Sequence, residues 1–212
     1  MRLLLIRHGQ TSSNVGQHLD TAEPGADLTP LGRKQAAAIP AALEGEQIDL
    51  IVVSNLVRTQ QTAAPLAEAR GLTPLIRPGV REVIAGDYEM LNDAKSIQGY
   101  LTTIFGWGTD LEGRMPGSES GSEVLARYDE VVAEAAEIVG DGTAVIFSHG
   151  AVIRAWAASR AEGIDFEYAK THWLPNTGLI ALEGEPGSWR VTEWGDTAVG
   201  ERTTSAVIST RN

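Results

Sequence analysis

Leu3-Leu4-Leu5-Ile6-Arg7-His8-Gly9-Gln10-Thr11 is an apolar run that ends abruptly on a cation, an imidazole and a glycine. It reads as a buried strand delivering rigid side chains to the rim of a sheet, and in open α/β folds ligands bind in the crevice beyond the carboxyl ends of the strands. Arg7 offers a planar fork of donors for an oxyanion, and His8 a nitrogen that titrates near neutrality. Gly9 leaves room for a ligand close to the backbone. Taken alone, the triplet is equally a strand end with a solvated arginine and a capping histidine.

Two more segments repeat the pattern. Leu50–Val53 is fully apolar and ends on Ser54-Asn55, before a helix from about Leu56 to Arg70 that Gly71 closes. Ala144–Phe147 ends on Ser148-His149-Gly150, before a helix over Val152–Ser159 with Ile153 and Trp156 facing inward. Arg7 to Asp27 reads as a long functional loop. Thr29-Pro30 supplies an N-cap and first-turn proline for a helix through Leu43 that Pro40 ends or kinks. Thr73–Ile76 reads as a strand, 81–89 as irregular, Ala94–Phe105 as helix and 106–121 as glycine-rich loop. Glu123–Val139 carries a helical apolar stripe. Leu179–Leu182 and Trp189–Trp194 suit a hairpin around the turn Glu183–Ser188, and the polar tail from Gly195 is unassigned.

Buried strands alternating with helices imply an α/β fold: a mainly parallel sheet covered on both faces, with an antiparallel edge strand near the end. No repeat or linker divides the chain, so residues 1–212 are expected to form a single domain with a small helical and loop cap inserted at about 90–120. Among 212 residues, 42% are hydrophobic and none is cysteine, which excludes disulfides, thiolate zinc sites and a cysteine nucleophile. A formal charge of −11 opposes nucleic acid or an anionic membrane as partner. The apolar run before Arg7 is too short for a signal peptide and no run is long enough to span a bilayer, so the expected location is cytoplasmic.

The three strand ends place Arg7-His8, Ser54 to Arg58, and His149 on one rim. Such a pocket suits a dianionic phosphoryl group: guanidinium forks bind its oxygens and a neutral imidazole attacks phosphorus in line. Glu82, in Arg81-Glu82-Val83-Ile84-Ala85-Gly86, can supply the proton for the leaving oxygen, with Asp87 and Glu89 as nearby rivals. His8 and His149 are two of four histidines, each followed by glycine, which sets them apart from ordinary strand-end histidines. Arg58 stands early in a helix, where a cation opposes the macrodipole unless an anion is near. His18 and His172 read as surface or substrate-loop residues lacking a third metal ligand, and Arg154 as either a brace or a solvated charge. The cluster from Tyr100 to Trp107 reads as a cap core that can also line a pocket.

The motifs resemble those of the histidine phosphatase superfamily, the phosphoglycerate mutase-like family. They are Leu5 to Thr11 with Asn14; Leu28-Thr29-Pro30-Leu31-Gly32 with Gln35-Ala36; Ser54 with Arg58-Thr59 and Gln61-Thr62-Ala63; Arg81-Glu82 with Gly86 and Glu89; and Ser148-His149-Gly150. The resemblance implies a three-layer α/β/α sandwich, with no metal and no cofactor. It implies phosphorylation of His8, a phosphoryl group held by Arg7, Arg58 and His149, and Glu82 as general acid and base. Asn14 and Gly150 join Arg7, Arg58 and His149 as substrate-binding positions. The chain departs from the family pattern in a longer, more acidic stretch from Val15 to Asp27, and in Met90, where many members have glycine. Pro116-Gly117-Ser118-Glu119-Ser120 partly matches a run of the phosphatase-like members. Between Glu89 and Pro116 only Lys95 and Arg114 are basic, so a bis-phosphorylated cofactor would be poorly held.

The expected function is therefore a metal-independent phosphomonoester hydrolase of the histidine acid phosphatase type. The alternatives are a cofactor-dependent phosphoglycerate mutase and a catalytically silent phosphate-binding member. The partners expected are a small-molecule phosphomonoester, preferably with a neutral or hydrophobic body, and at most a second copy of the chain in a homodimer; neither nucleic acid nor membrane is among them.

Overall fold

The computed structural model describes residues 1–201, so the part of the polar tail beyond Glu201 lies outside the described residues. Strand β1 (Arg2–Arg7) runs through the middle of a seven-stranded sheet, with Leu3 to Ile6 fully buried. It pairs in parallel with β4 (Thr143–Ser148), which pairs in parallel with β2 (Leu50–Val53), and that strand with the short β3 (Leu75–Ile76). On its other side β1 meets β6 (Leu179–Glu185) antiparallel; β7 (Ser188–Trp194) and β5 (Ala161–Glu162) lie beyond. The sheet is thus mostly parallel, with its antiparallel pairing on the flank built from the last third of the chain.

Because successive side chains of a strand point to opposite faces, β1 feeds two cores. Leu4 and Ile6 join Ile51, Val53, Val145 and Phe147 beneath α2 (Pro30–Ala42) and α3 (Val57–Arg70), which supply Ile39, Ala63 and Leu66. Leu3 and Leu5 join Val52 and Ile146 beneath α5 (Gly121–Val139) and α6 (Gly150–Arg160), with Tyr128 and Trp156. These are the expected three layers. The cap helix α4 (Ala94–Phe105) shares the second core through Tyr100, Ile104 and Phe105, and Trp107 packs there while its Nε1 donates to the Gly113 carbonyl at 2.8 Å. Among the described residues no helix is long and apolar enough to cross a membrane.

Several local expectations shift. The stretch from Arg7 to Asp27 contains a one-turn helix, α1 (Ser12–Val15), capped reciprocally by Thr11 and Asn14. Helix α2 continues past Pro40 to Ala42. The hairpin turn is tighter than the polar sequence suggests: β6 runs on to Glu185, where Glu183 meets Arg190 across the strands at 3.4 Å, and Gly187 takes a φ of +92°. A short helix, α7 (Phe166–Thr171), precedes β6, and the tail's Val199 donates its N–H to the Thr177 carbonyl at 3.0 Å, seating this segment against α2.

Candidate active site

β1 delivers His8, and the ladder to β4 continues one residue beyond the strand, with the His8 N–H donating to the Ser148 carbonyl at 3.0 Å. The His8 ring is nearly fully buried, and its Nδ1 lies 2.7 Å from the Gly9 carbonyl. A carbonyl can only accept, so Nδ1 carries the proton and Nε2 keeps its lone pair. Burial first, then the charges of Arg58 and Arg7, hold the imidazole well below the usual histidine range, which keeps it neutral. Gly9 is small for a reason other than ligand access: a Cβ there would stand 2.8 Å from the Gly32 carbonyl oxygen of α2.

His149 stands at the end of β4 with no exposed surface, its ring centroid 5.2 Å from that of His8. Its Nδ1 accepts from Arg58 Nε at 3.3 Å, and its Nε2 donates to Ser54 Oγ at 2.8 Å. Ser54 also accepts the Leu56 N–H and lies 3.0 Å from Thr59 Oγ1, so the motif at the end of β2 fixes the His149 tautomer. Burial, then Arg58, holds His149 well below its ordinary pKa too.

Arg58, at the second position of α3, finds the anion that its place near a helix N-terminus called for. Its Nη1 lies 3.8 Å from the Asp20 carboxylate, and its Nη2 donates to the Asp20 backbone carbonyl at 2.8 Å. Asp20, read from sequence only as part of an acidic loop, is tied inward by Ser13 Oγ at 2.7 Å and the Ala26 N–H at 2.9 Å. Gly25 permits this approach, since its φ is +73° and a Cβ would come within 2.4 Å of Arg58 Nη1. Arg7 donates Nη1 to the Leu174 carbonyl at 2.8 Å and lies 5.1 Å from the Trp173 ring centroid. Burial lowers its pKa to about 10, leaving it charged at neutral pH. Gly150 lies close beside it: a Cβ would stand 3.0 Å from Arg7 Nε, so the guanidinium would have to shift by a few tenths of an ångström. Arg7 Nε and Arg58 Nη1 are both buried without a hydrogen-bond partner. Two such donors near paired imidazoles are what an incoming oxyanion would satisfy.

Glu82 is held at the N-terminus of α6. Its Oε1 accepts from Val83 and Val152 N–H at 3.0 and 2.9 Å, and its Oε2 from Ala151 N–H at 3.1 Å. Arg127 secures the backbone on either side, donating to the Arg81 and Glu82 carbonyls while it pairs with Glu119 at 2.7 Å. Glu119 belongs to the partly matching run 116–120, whose use is thus structural. The two rivals are elsewhere: Glu89 accepts from the Thr21 and Ala22 N–H groups and the Thr21 hydroxyl, and Asp87 is exposed.

A cavity of about 1130 Å³ opens beside this rim; Arg7, Asn14, Glu82 and Gly150 stand on its wall, whereas His8, Arg58 and His149 do not line it. Asn14 Oδ1 accepts from Thr11 N–H and Asn176 Nδ2, both at 3.0 Å, which leaves its own amide hydrogens for a ligand. The cap contributes apolar wall at Ile97, Tyr100, Leu101 and Phe105. The cap's cations Lys95 and Arg114 do not line the cavity, but Arg154 of α6 and Lys170 of α7 do, as do Asp196 and Glu201 of the tail. His172 stacks on Tyr168 at 3.7 Å and stays exposed. Among the described residues no group of three His, Cys, Asp or Glu is arranged to hold a metal ion.

The model of the histidine phosphatase superfamily (branch 1) matches residues 3–197. The chain belongs to this superfamily. It is 35% identical to PE-PGRS family protein PE_PGRS11 of Mycobacterium tuberculosis over 92% of its own length, and spans 36% of that larger protein. It is 32% identical to glucosyl-3-phosphoglycerate phosphatase of the same organism, covering 93% of this chain and 95% of the relative. A solved mycobacterial glucosyl-3-phosphoglycerate phosphatase in complex with VO3 superposes with a TM-score of 0.77 at 32% identity, over 92% of this chain and 99% of that one. The family and the phosphatase class expected from the motifs both stand.

Proposed function

We propose that the chain hydrolyses small-molecule phosphomonoesters through a phosphohistidine on His8, without a metal. His8 Nε2 attacks phosphorus as the P–O bond to the alcohol breaks, and Glu82 gives its proton to the leaving oxygen. Water then attacks the phosphohistidine, Glu82 takes the water's proton, and the P–N bond breaks to release phosphate and restore the imidazole. Arg7, Arg58 and His149 hold the equatorial oxygens, Asn14 and the Gly150 backbone complete the cradle, and charge stabilisation does most of the work in such transfers. The observation that carries this reading is the pair of buried guanidinium nitrogens without a hydrogen bond, Arg7 Nε and Arg58 Nη1, the second 3.8 Å from the Asp20 carboxylate, together with an imidazole whose Nδ1 faces the Gly9 carbonyl and so leaves Nε2 unprotonated.

The test is to quench the enzyme during turnover of an aryl phosphate and look for an acid-labile, alkali-stable phosphoprotein. It should form with EDTA present and be missing from His8→Ala; activity that vanishes on chelation would overturn the metal-free step. Given 3-phosphoglycerate with 2,3-bisphosphoglycerate, the enzyme should release phosphate and produce no 2-phosphoglycerate, the product a mutase would make. Residence in the cytoplasm belongs to the same proposal, and cell fractionation checks it.

A further inference from the structure

The chain has five tryptophans. Trp107, Trp156, Trp189 and Trp194 are buried, whereas Trp173 is 57% exposed and lines the cavity. An aromatic ring left open at the edge of a site is poorly explained by the core, since no hydrophobic packing is gained by keeping it there. Its position is nonetheless held firmly. The Arg7 guanidinium lies 5.1 Å from its centroid and that of Arg154 lies 4.9 Å away, while Arg154 also packs over Phe105 at 4.6 Å. Arg154 is itself tied down, donating Nε to the Gly150 carbonyl at 2.9 Å and Nη1 to the Ala169 carbonyl at 3.0 Å. The next residue, Leu174, accepts from Arg7. The ring is therefore pre-set beside the group that grips phosphate, and a rigid aromatic platform costs a ligand little ordering entropy.

We propose that Trp173 is a specificity-determining residue, the platform on which a ring in the alcohol part of the phosphomonoester lies while Arg7 holds the phosphoryl group. This rests on the reading of the site as a phosphatase and deepens it. The 5.1 Å between the Arg7 guanidinium and the ring centroid suits a ring joined to the phosphoryl oxygen through one or two carbons. The apolar cap residues Ile97 and Leu101 line the same cavity and give it apolar wall besides Trp173.

The test compares 2-phenylethyl phosphate with ethyl phosphate, whose leaving alkoxides are similarly basic. The wild-type enzyme should favour the first by about tenfold in kcat/KM, a size ordinary for a stacked aromatic contact. Trp173→Ala should erase the preference through KM, and Trp173→Phe should keep most of it. A wild-type ratio near one overturns the proposal. So does a Trp173→Ala enzyme slowed equally on both esters, which is what a ring serving only to position Arg7 would give. A second readout needs no turnover: in His8→Ala, 2-phenylethyl phosphate should shield Trp173 fluorescence from acrylamide and ethyl phosphate should not. Equal quenching with both also overturns it. If the wild type hydrolyses nothing but the shielding appears, the phosphatase reading fails and the platform stands.

Discussion

An imidazole is a nucleophile only while one nitrogen is bare, and at His8 the Gly9 carbonyl chooses which. Since burial keeps His8 neutral well below pH 6.5, protonation of the nucleophile should not limit activity in mild acid. Turnover of an aryl phosphate at pH 5.5 and 7 measures this, and a single ionisation near 6.5 that follows His8 would refute it. For Glu82→Gln, turnover of alkyl phosphates should fall about 100-fold, the size of a lost general acid, while p-nitrophenyl phosphate, with its good leaving group, loses less. Steady-state rates on the two esters decide, and equal losses would remove Glu82 from that role. Of the proposed catalytic positions, His8, Arg58 and His149 were legible because each follows a strand or opens a helix, where position is set locally, whereas Glu82 lies in a loop and was read from its motif. Asp20, Trp173 and Asn176 were not. They sit in loops, and only contacts across the chain, such as Asn176 to the His8 carbonyl at 3.1 Å, bring them to the site. Arg154 was visible but undecided, although four residues after Gly150 on one helix it falls above that residue's carbonyl.

Elements meet here by backbone contact where side chains leave no room. A Cβ on Gly32, in the first turn of α2, would stand 2.1 Å from the Gln10 carbonyl oxygen, an atom that cannot rotate away. Gly32→Ala should therefore cost about 3 kcal/mol by forcing the helix from the loop after β1, whereas Gly45→Ala, with nothing within 4 Å, should stay within about 0.5 kcal/mol. Urea denaturation of the two variants compares them; similar midpoints would show that α2 shifts freely. The long elements were readable from apolar runs, caps and periodicity, as with Thr29 accepting the Gly32 N–H at 3.0 Å. Of the short ones, β3 was read within Thr73–Ile76, whereas α1, one turn held by its own cap, and β5, which exists through its pairing with β7, were not. The tail from Asp196 to Glu201 has no pattern of its own, yet it closes one wall of the cavity.

For the whole molecule, burying two neutral histidines ties stability to pH. Both have folded pKa values well below the ordinary 6.5. Above pH 6.5 their contribution is complete; below it the unfolded chain takes up protons that the folded chain refuses. Stability should then fall by about 1.4 kcal/mol per pH unit for each histidine. Urea midpoints at pH 7.5, 6.5 and 5.5 check this, with little change over the first interval and a drop over the second. A flat series would mean that the rings gain protons in place. The sheet order adds a constraint in time. β1 has one neighbour starting at Thr143 and another at Leu179, so a chain emerging from the ribosome holds β1 unpaired at least until Thr143 to Ser148 has been made. Contacts this remote in sequence form slowly, and any chain cut short before β6 would present His8 on an open edge, inviting aggregation instead of catalysis.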